Sequence, residues 1–178
     1  MPIQINNAGL VLFNQYISVY FKGLGLIENN VFCCKEAQCN AVHSLQYLAT
    51  GLVKTLEHQL VLNELLCELP VSNFTEPSIE LMAENKQIGD VLIGAIFQHW
   101  LSIGSSSING FRSNWLVQNG LLSRSDNRWN LVIERRPYDM LLQSFPFSFS
   151  IIEQPWMTTS LLNLGLKYWS ILHRYPTT

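Results

Sequence analysis

At 178 residues the chain has room for one domain with a core of its own, or for a domain with a small appendage. Charged residues make up only 13% and hydrophobic ones 48%, which predicts a surface poor in charge and partly covered by something else. A formal charge of -2 and a pI near 6.1 leave no electrostatic footprint for nucleic acid, and no apolar run reaches the ~18 residues of a membrane span.

The first helix is expected from Ala8 to Leu24, where Leu10, Phe13, Ile17, Tyr20, Phe21 and Leu24 follow the spacing of one helical face. A second is expected over Lys35–Thr50, with Ala41, Val42, Leu45, Leu48 and Ala49 inward and Gly51 just past its end. The third spans Glu57 to Leu69 and is stopped by Pro70, which lacks the amide the helix would need. Val71 to Leu81 reads as a connector, and a longer helix follows from Ala83 to Leu101. Ser107 is the expected N-cap of a fifth helix to Gln118, with Asn119-Gly120 as its left-handed stop.

Beyond Gly120 the period changes. Leu121–Ser123 and Trp129–Glu134 flank Ser125-Asp126-Asn127, a hairpin pattern. Pro137 suits the first position of a sixth helix, with Tyr138, Leu141, Leu142 and Phe145 inward. Phe147–Glu153 alternates and predicts a strand returning beside the hairpin, and Leu161 to Tyr168 is open between a short strand and a helix. The expected fold is α+β: an N-terminal helical bundle (1–70), then a helix-turn-helix-like pair with a small antiparallel sheet, winged-helix-like (78–157), and a tail (158–178).

Candidate chemistry is sparse. Cys33, Cys34, Cys39 and His43 lie in one segment, and Cys39 and His43 share a helix face, but the second ligand pair of a structural zinc site is missing. Those cysteines read instead as small hydrophobes. The N-terminus lacks the basic and apolar regions of a signal peptide, so reduced thiols in a cytoplasm are expected. His43, His58, His99 and His173 form no metal or catalytic motif, and Ser105-Ser106-Ser107 sits in no nucleophile elbow. No enzyme activity, cofactor or metal is expected. A DNA-reading helix would need basic residues on the fifth helix, which carries only Arg112, so a winged-helix regulator or adaptor is the lesser alternative.

Several stretches, in consistent order, resemble the C-terminal region of the tape measure proteins of bacterial contractile injection systems. They are Asn7–Phe13, Ala41–Gly51, Glu57–Pro70, Ile96–Trp100, Gly110–Arg112, Glu134–Leu142 and Ser150–Met157. Leu161–Thr178 and the cysteines at 33, 34 and 39 depart from the pattern. The resemblance implies a structural assembly protein that helps set tail-tube length or anchors at the baseplate hub or spike. It implies protein partners in the tube, hub or spike, with a homo-oligomer left open; the charge of -2 and the lack of a long apolar run are what predict no nucleic-acid or membrane partner. Residues of these stretches carried as signature or interface candidates are His43, Gln46, Tyr47, His58, Trp100, Arg112, Arg135, Tyr138, Asp139, Pro155 and Trp156.

Overall fold

The computed structural model of the chain describes residues 2–54, 56–71 and 83–167. Strand β1 (Ile3–Ile5) leads into a 3-10 helix, Ala8–Phe13, all six residues of which are buried. The chain then turns and forms α1 (Ile17–Gly23). The single helix expected over 8–24 is therefore two pieces. A segment buried on every side gains nothing from one amphipathic stripe, and Gly9 lies so close to Trp115 that a Cβ there would stand 1.8 Å from its carbonyl oxygen. The Ala8 N–H also donates out of the helix, to the Gln118 carbonyl at 2.9 Å.

A small hairpin, β2 (Ile27–Glu28) with β3 (Val31–Phe32), precedes α2 (Lys35–Thr50), whose bounds are those the sequence predicts. Cys34 Sγ accepts from the Ala37 N–H at the start of α2, and Gly51 takes the left-handed conformation (φ 73°) at its end. The expected third helix is shorter: a 3-10 turn, Glu57–Gln59, then α3 (Val61–Leu66). The Cys67 N–H closes α3 onto Asn63, and Glu68 reverses the chain with φ 56° before Pro70. The expected connector lies outside the described residues from 72 to 82.

Helix α4 (Ala83–His99) follows, then a 3-10 turn, Leu101–Ile103. Helix α5 (Ile108–Phe111) begins at the expected cap, where Ser107 Oγ accepts from the Gly110 N–H at 3.0 Å, and widens into a π-turn over Arg112–Leu116. No left-handed stop follows. Gly120 opens β4 (Gly120–Ser125), paired with Ile5 and Ile133, and a Cβ on it would meet Ala8 at 2.9 Å and the Val132 carbonyl at 3.0 Å. It is a glycine of close approach, not of reversal.

The hairpin is as expected: β4 and β5 (Arg128–Glu134) join through Asp126 and Asn127, both with positive φ (48° and 62°), the two-residue turn whose twist matches the strands. Pro137 does open a helix, but of the 3-10 type, Pro137–Ser144. The strand expected over Phe147–Glu153 shrinks to β6 (Ile151–Ile152), and the strand beside the hairpin is β7 (Leu161–Lys167), parallel to β5. The sheet runs β1-β4-β5-β7-β6, so it is mixed, with both ends of the chain contributing strands. The fold is α+β as expected, and its apolar core runs continuously from Ile5 to Leu161.

Candidate functional site

The predicted residues resolve into internal ties and a few surface positions. Arg112 is buried (5% exposed) and holds three elements. Its Nε donates to the Leu48 carbonyl at 3.1 Å, a group in the last turn of α2 that has no partner within the helix. Its Nη2 meets Asp90 of α4 at 2.9 Å, its Nη1 donates to Asn109 of α5 at 3.3 Å, and the guanidinium stacks 5.1 Å over the Tyr47 ring. An inward Arg112 is unavailable to a phosphate backbone.

Arg136 serves the π-turn in the same way. Its Nη1 donates to the carbonyls of Ser113 and Asn114 and to the Tyr138 hydroxyl at 2.9 Å, and its Nη2 to the Val117 carbonyl at 2.5 Å. Its backbone N–H donates to Asp139 Oδ2 at 2.6 Å, while Gln118 Nε2 donates to Asp139 Oδ1 at 3.4 Å. Burial pushes the Asp139 carboxyl above the ordinary carboxylate value, against the pull of the Arg136 N–H and charge.

Gln46 belongs to a buried amide cluster. Asn7 Nδ2 donates to Gln46 Oε1 at 3.0 Å and to Asn63 Oδ1 at 2.7 Å, while Asn63 Nδ2 reaches Gln46 Oε1 and the Val42 carbonyl. This joins the β1 exit, α2 and α3 in the protein interior. Trp100 is buried too, edge-on to Trp115 and Phe145 at 4.6 and 5.0 Å, with its Nε1 donating to Ser144 Oγ.

The segment after β6 forms a strap across the helical body. Gln154 Nε2 donates to the Asn14 carbonyl and side-chain oxygen at 2.8 and 2.9 Å. Trp156 packs on Phe21 and Phe32 (5.5 and 5.2 Å) and donates from Nε1 to the Leu66 carbonyl at 2.9 Å. Thr158 donates from its N–H and hydroxyl to the Glu68 carboxylate. His43 is buried in α2, whereas His58, Arg135 and Pro155 are exposed.

The sequence list omits Asn7, Asn63, Asp90, Arg136 and Gln154. Asn63 does carry a signal, since Leu60, Leu66 and Cys67 put it on an apolar helical face, whereas Asn7 stands beside Asn6 and carries none. Nothing local marks Asp90 or Gln154, whose partners are distant in sequence.

Cys33 and Cys34 are exposed, Cys39 is half-buried and Cys67 is buried, its thiol pushed up by burial. Among the described residues, no three His, Cys, Asp or Glu side chains are placed to hold a metal ion. A cleft of about 460 Å³ lies between Leu69 and Trp129, and its titratable members are Glu68, bound by Thr158, and Arg124. No described helix is long and apolar enough to cross a membrane.

Polar side chains that tie helix ends, strap and sheet to one another define a structural body of the α+β class. Residues 1–162 match the contractile injection system tape measure protein family, and the chain belongs to that family. No curated protein and no solved structure matches it. The resemblance carried by the ordered stretches is thus borne out over most of the chain, and the role it brings is structural, with protein partners in an injection particle.

Proposed function

We propose that this chain is the compact anchoring member of the tape measure type, docking on the baseplate hub or spike and there helping to start the tail tube or set its length. It is made in the bacterial cytoplasm and carried inside the assembled particle. The observation behind this reading is the closure of the chain on itself. Strand β1 pairs with β4, and Gln154 reaches back to Asn14. As one helix, 178 residues would span about 270 Å. Folded as it is, a chain of this length has a radius of gyration of about 16 Å. A folded unit of that size marks a position better than it measures a distance.

The winged-helix alternative requires an exposed basic helix, and the π-turn that continues α5 instead turns Arg112 inward. The anchoring reading is tested by purifying uncontracted particles from a strain carrying the tagged chain and quantifying their proteins by mass spectrometry. The chain is expected at a fixed low copy number together with hub or spike components. A chain found only in the particle-free fraction would overturn the reading.

A further inference from the structure

The five-stranded sheet ends on one side at β1, whose outer edge pairs with no described strand. Which backbone groups that edge presents follows from the hydrogen-bond alternation of antiparallel strands. The Glu134 N–H donates to the Asn119 carbonyl at 2.8 Å, so the odd-numbered residues of β4 bond to β5. The even-numbered ones, Gly120 and Leu122, then turn to β1, where their partners are Ile5 and Ile3. Gln4, between those two, points its N–H and carbonyl away from the sheet. Neither group bonds to a described backbone group.

That edge does not lie on a bare rim. Gln4, Ile5 and Asn6 line a cleft of about 270 Å³ whose other described members are His58 and Gln59, from the 3-10 turn 57–59. None of these is a lysine, an arginine or a carboxylate, so hydrogen bonds rather than ion pairs select what enters. Asn6 adds a demand of its own, because its Oδ1 is buried and accepts from no described donor. A buried acceptor left unmatched is costly, and most such groups in folded proteins find a partner.

We propose that an extended segment of another particle protein enters this cleft and pairs with the outer edge of β1. An added strand runs about 4.8 Å from β1. Its carbonyl receives the Gln4 N–H, its N–H meets the Gln4 carbonyl, and a further donor satisfies Asn6 Oδ1. Extended backbone presents a donor and an acceptor side by side, whereas the backbone groups of a helix bond internally. A second copy of the chain fits worse, because two-fold pairing centred on Gln4 brings two 57–59 turns together over one edge. The inference rests on the assembly role proposed above and adds where a partner binds and in what conformation.

The test compares amide exchange over residues 3–6 in the purified chain and in assembled particles, read by mass spectrometry. The Gln4 amide should exchange as an exposed amide in the free chain and slow by about a hundredfold in particles. Equal exchange in both overturns the edge pairing while leaving the assembly role standing; absence of the wild-type chain from particles overturns the role itself. Gln4→Pro removes the outward N–H without touching the bonds to β4, a change that edge strands tolerate. It should lower the amount of chain per particle about tenfold at an unchanged urea midpoint, whereas Gln4→Ala, which keeps the N–H, should stay at the wild-type level. Equal amounts of the two variants in particles overturn the pairing. A photo-crosslinking residue in place of His58 reads the occupant. The expected adduct is to a segment of a different particle protein. An adduct to a second copy, or within the same chain, overturns the assignment.

Discussion

Replacing Arg112 tests whether the body is held as described. Arg112→Ala removes the bond to the Leu48 carbonyl, the bond to Asn109, the pair with Asp90 and the stack on Tyr47. The Leu48 carbonyl is then left in the interior without a donor, at a cost of about 1–3 kcal/mol. The stack on Tyr47 contributes about 0.5–1 kcal/mol more. Asp90 is 39% exposed, so water takes over much of its lost partner and that pair is discounted to well under 1 kcal/mol. The total expected loss is about 3 kcal/mol.

Two further substitutions separate the parts. Arg112→Lys keeps a charge for Asp90 but loses the planar fork that reaches Leu48 and covers Tyr47, so about 2 kcal/mol should go. Asp90→Asn keeps an oxygen acceptor and should cost less than about 1 kcal/mol. Urea unfolding at pH 7 reads all three. With a slope of about 2 kcal/mol per molar, Arg112→Ala should shift the midpoint by roughly 1.5 M. An Arg112→Ala midpoint within experimental error of wild type, or an Asp90→Asn loss as large, would refute the argument.

Trp156→Ala should cost about 2–3 kcal/mol and Trp156→Phe about 1, because the second keeps the ring against Phe21 and Phe32 and loses only the bond to Leu66. Amide exchange at Met157 and Thr158 should quicken in the alanine variant, and unchanged exchange there would contradict the strap. Gly9→Ala drives a methyl group into the Trp115 carbonyl and should destabilise by about 3 kcal/mol, whereas Gly94→Ala, with no atom within 4 Å, should stabilise α4 by about 0.5–1 kcal/mol; thermal melting of both gives the sign. Asp139 carries a pH prediction. Its folded carboxyl binds its proton more tightly than the ordinary 3.8, so its contribution to stability is fully present below that value and is lost as pH rises through the raised one. Asp139→Asn, always neutral, lacks this falling limb. Its stability relative to wild type should therefore improve between pH 4 and pH 7, and a constant difference in urea midpoints would count against the raised value.

How far the sequence reaches depends on whether an element carries its own ends. Helix α2 does, with Cys34 and Gly51 flanking a clear periodic face, and it is read to the residue. The β4–β5 turn is legible for the same reason, since Asp126 and Asn127 tolerate the positive φ it demands. Strands β1 and β6 are three and two residues long and exist only through partners from elsewhere in the chain, so no local alternation could announce them. The Ala8–Phe13 segment misleads because its apolar residues are buried on all sides, which helical periodicity cannot distinguish from one rich face. Gly120 shows the same limit: a glycine after a helix suggests a stop, while this one admits Ala8 and the neighbouring strand. In the candidate site, Arg112 and Trp156 are visible as residues, but their roles come from carbonyls of α2 and α3 that only tertiary structure brings within reach.

The central claim is that this chain acts in building the injection particle. Its most direct test is the distribution of tail lengths in electron micrographs of particles from a producing strain with the chain deleted, beside the same strain complemented with it. The account predicts missing particles or tails of irregular length in the deletion, restored to one sharp length by the complement. Normal particles of normal length in the deletion would contradict it.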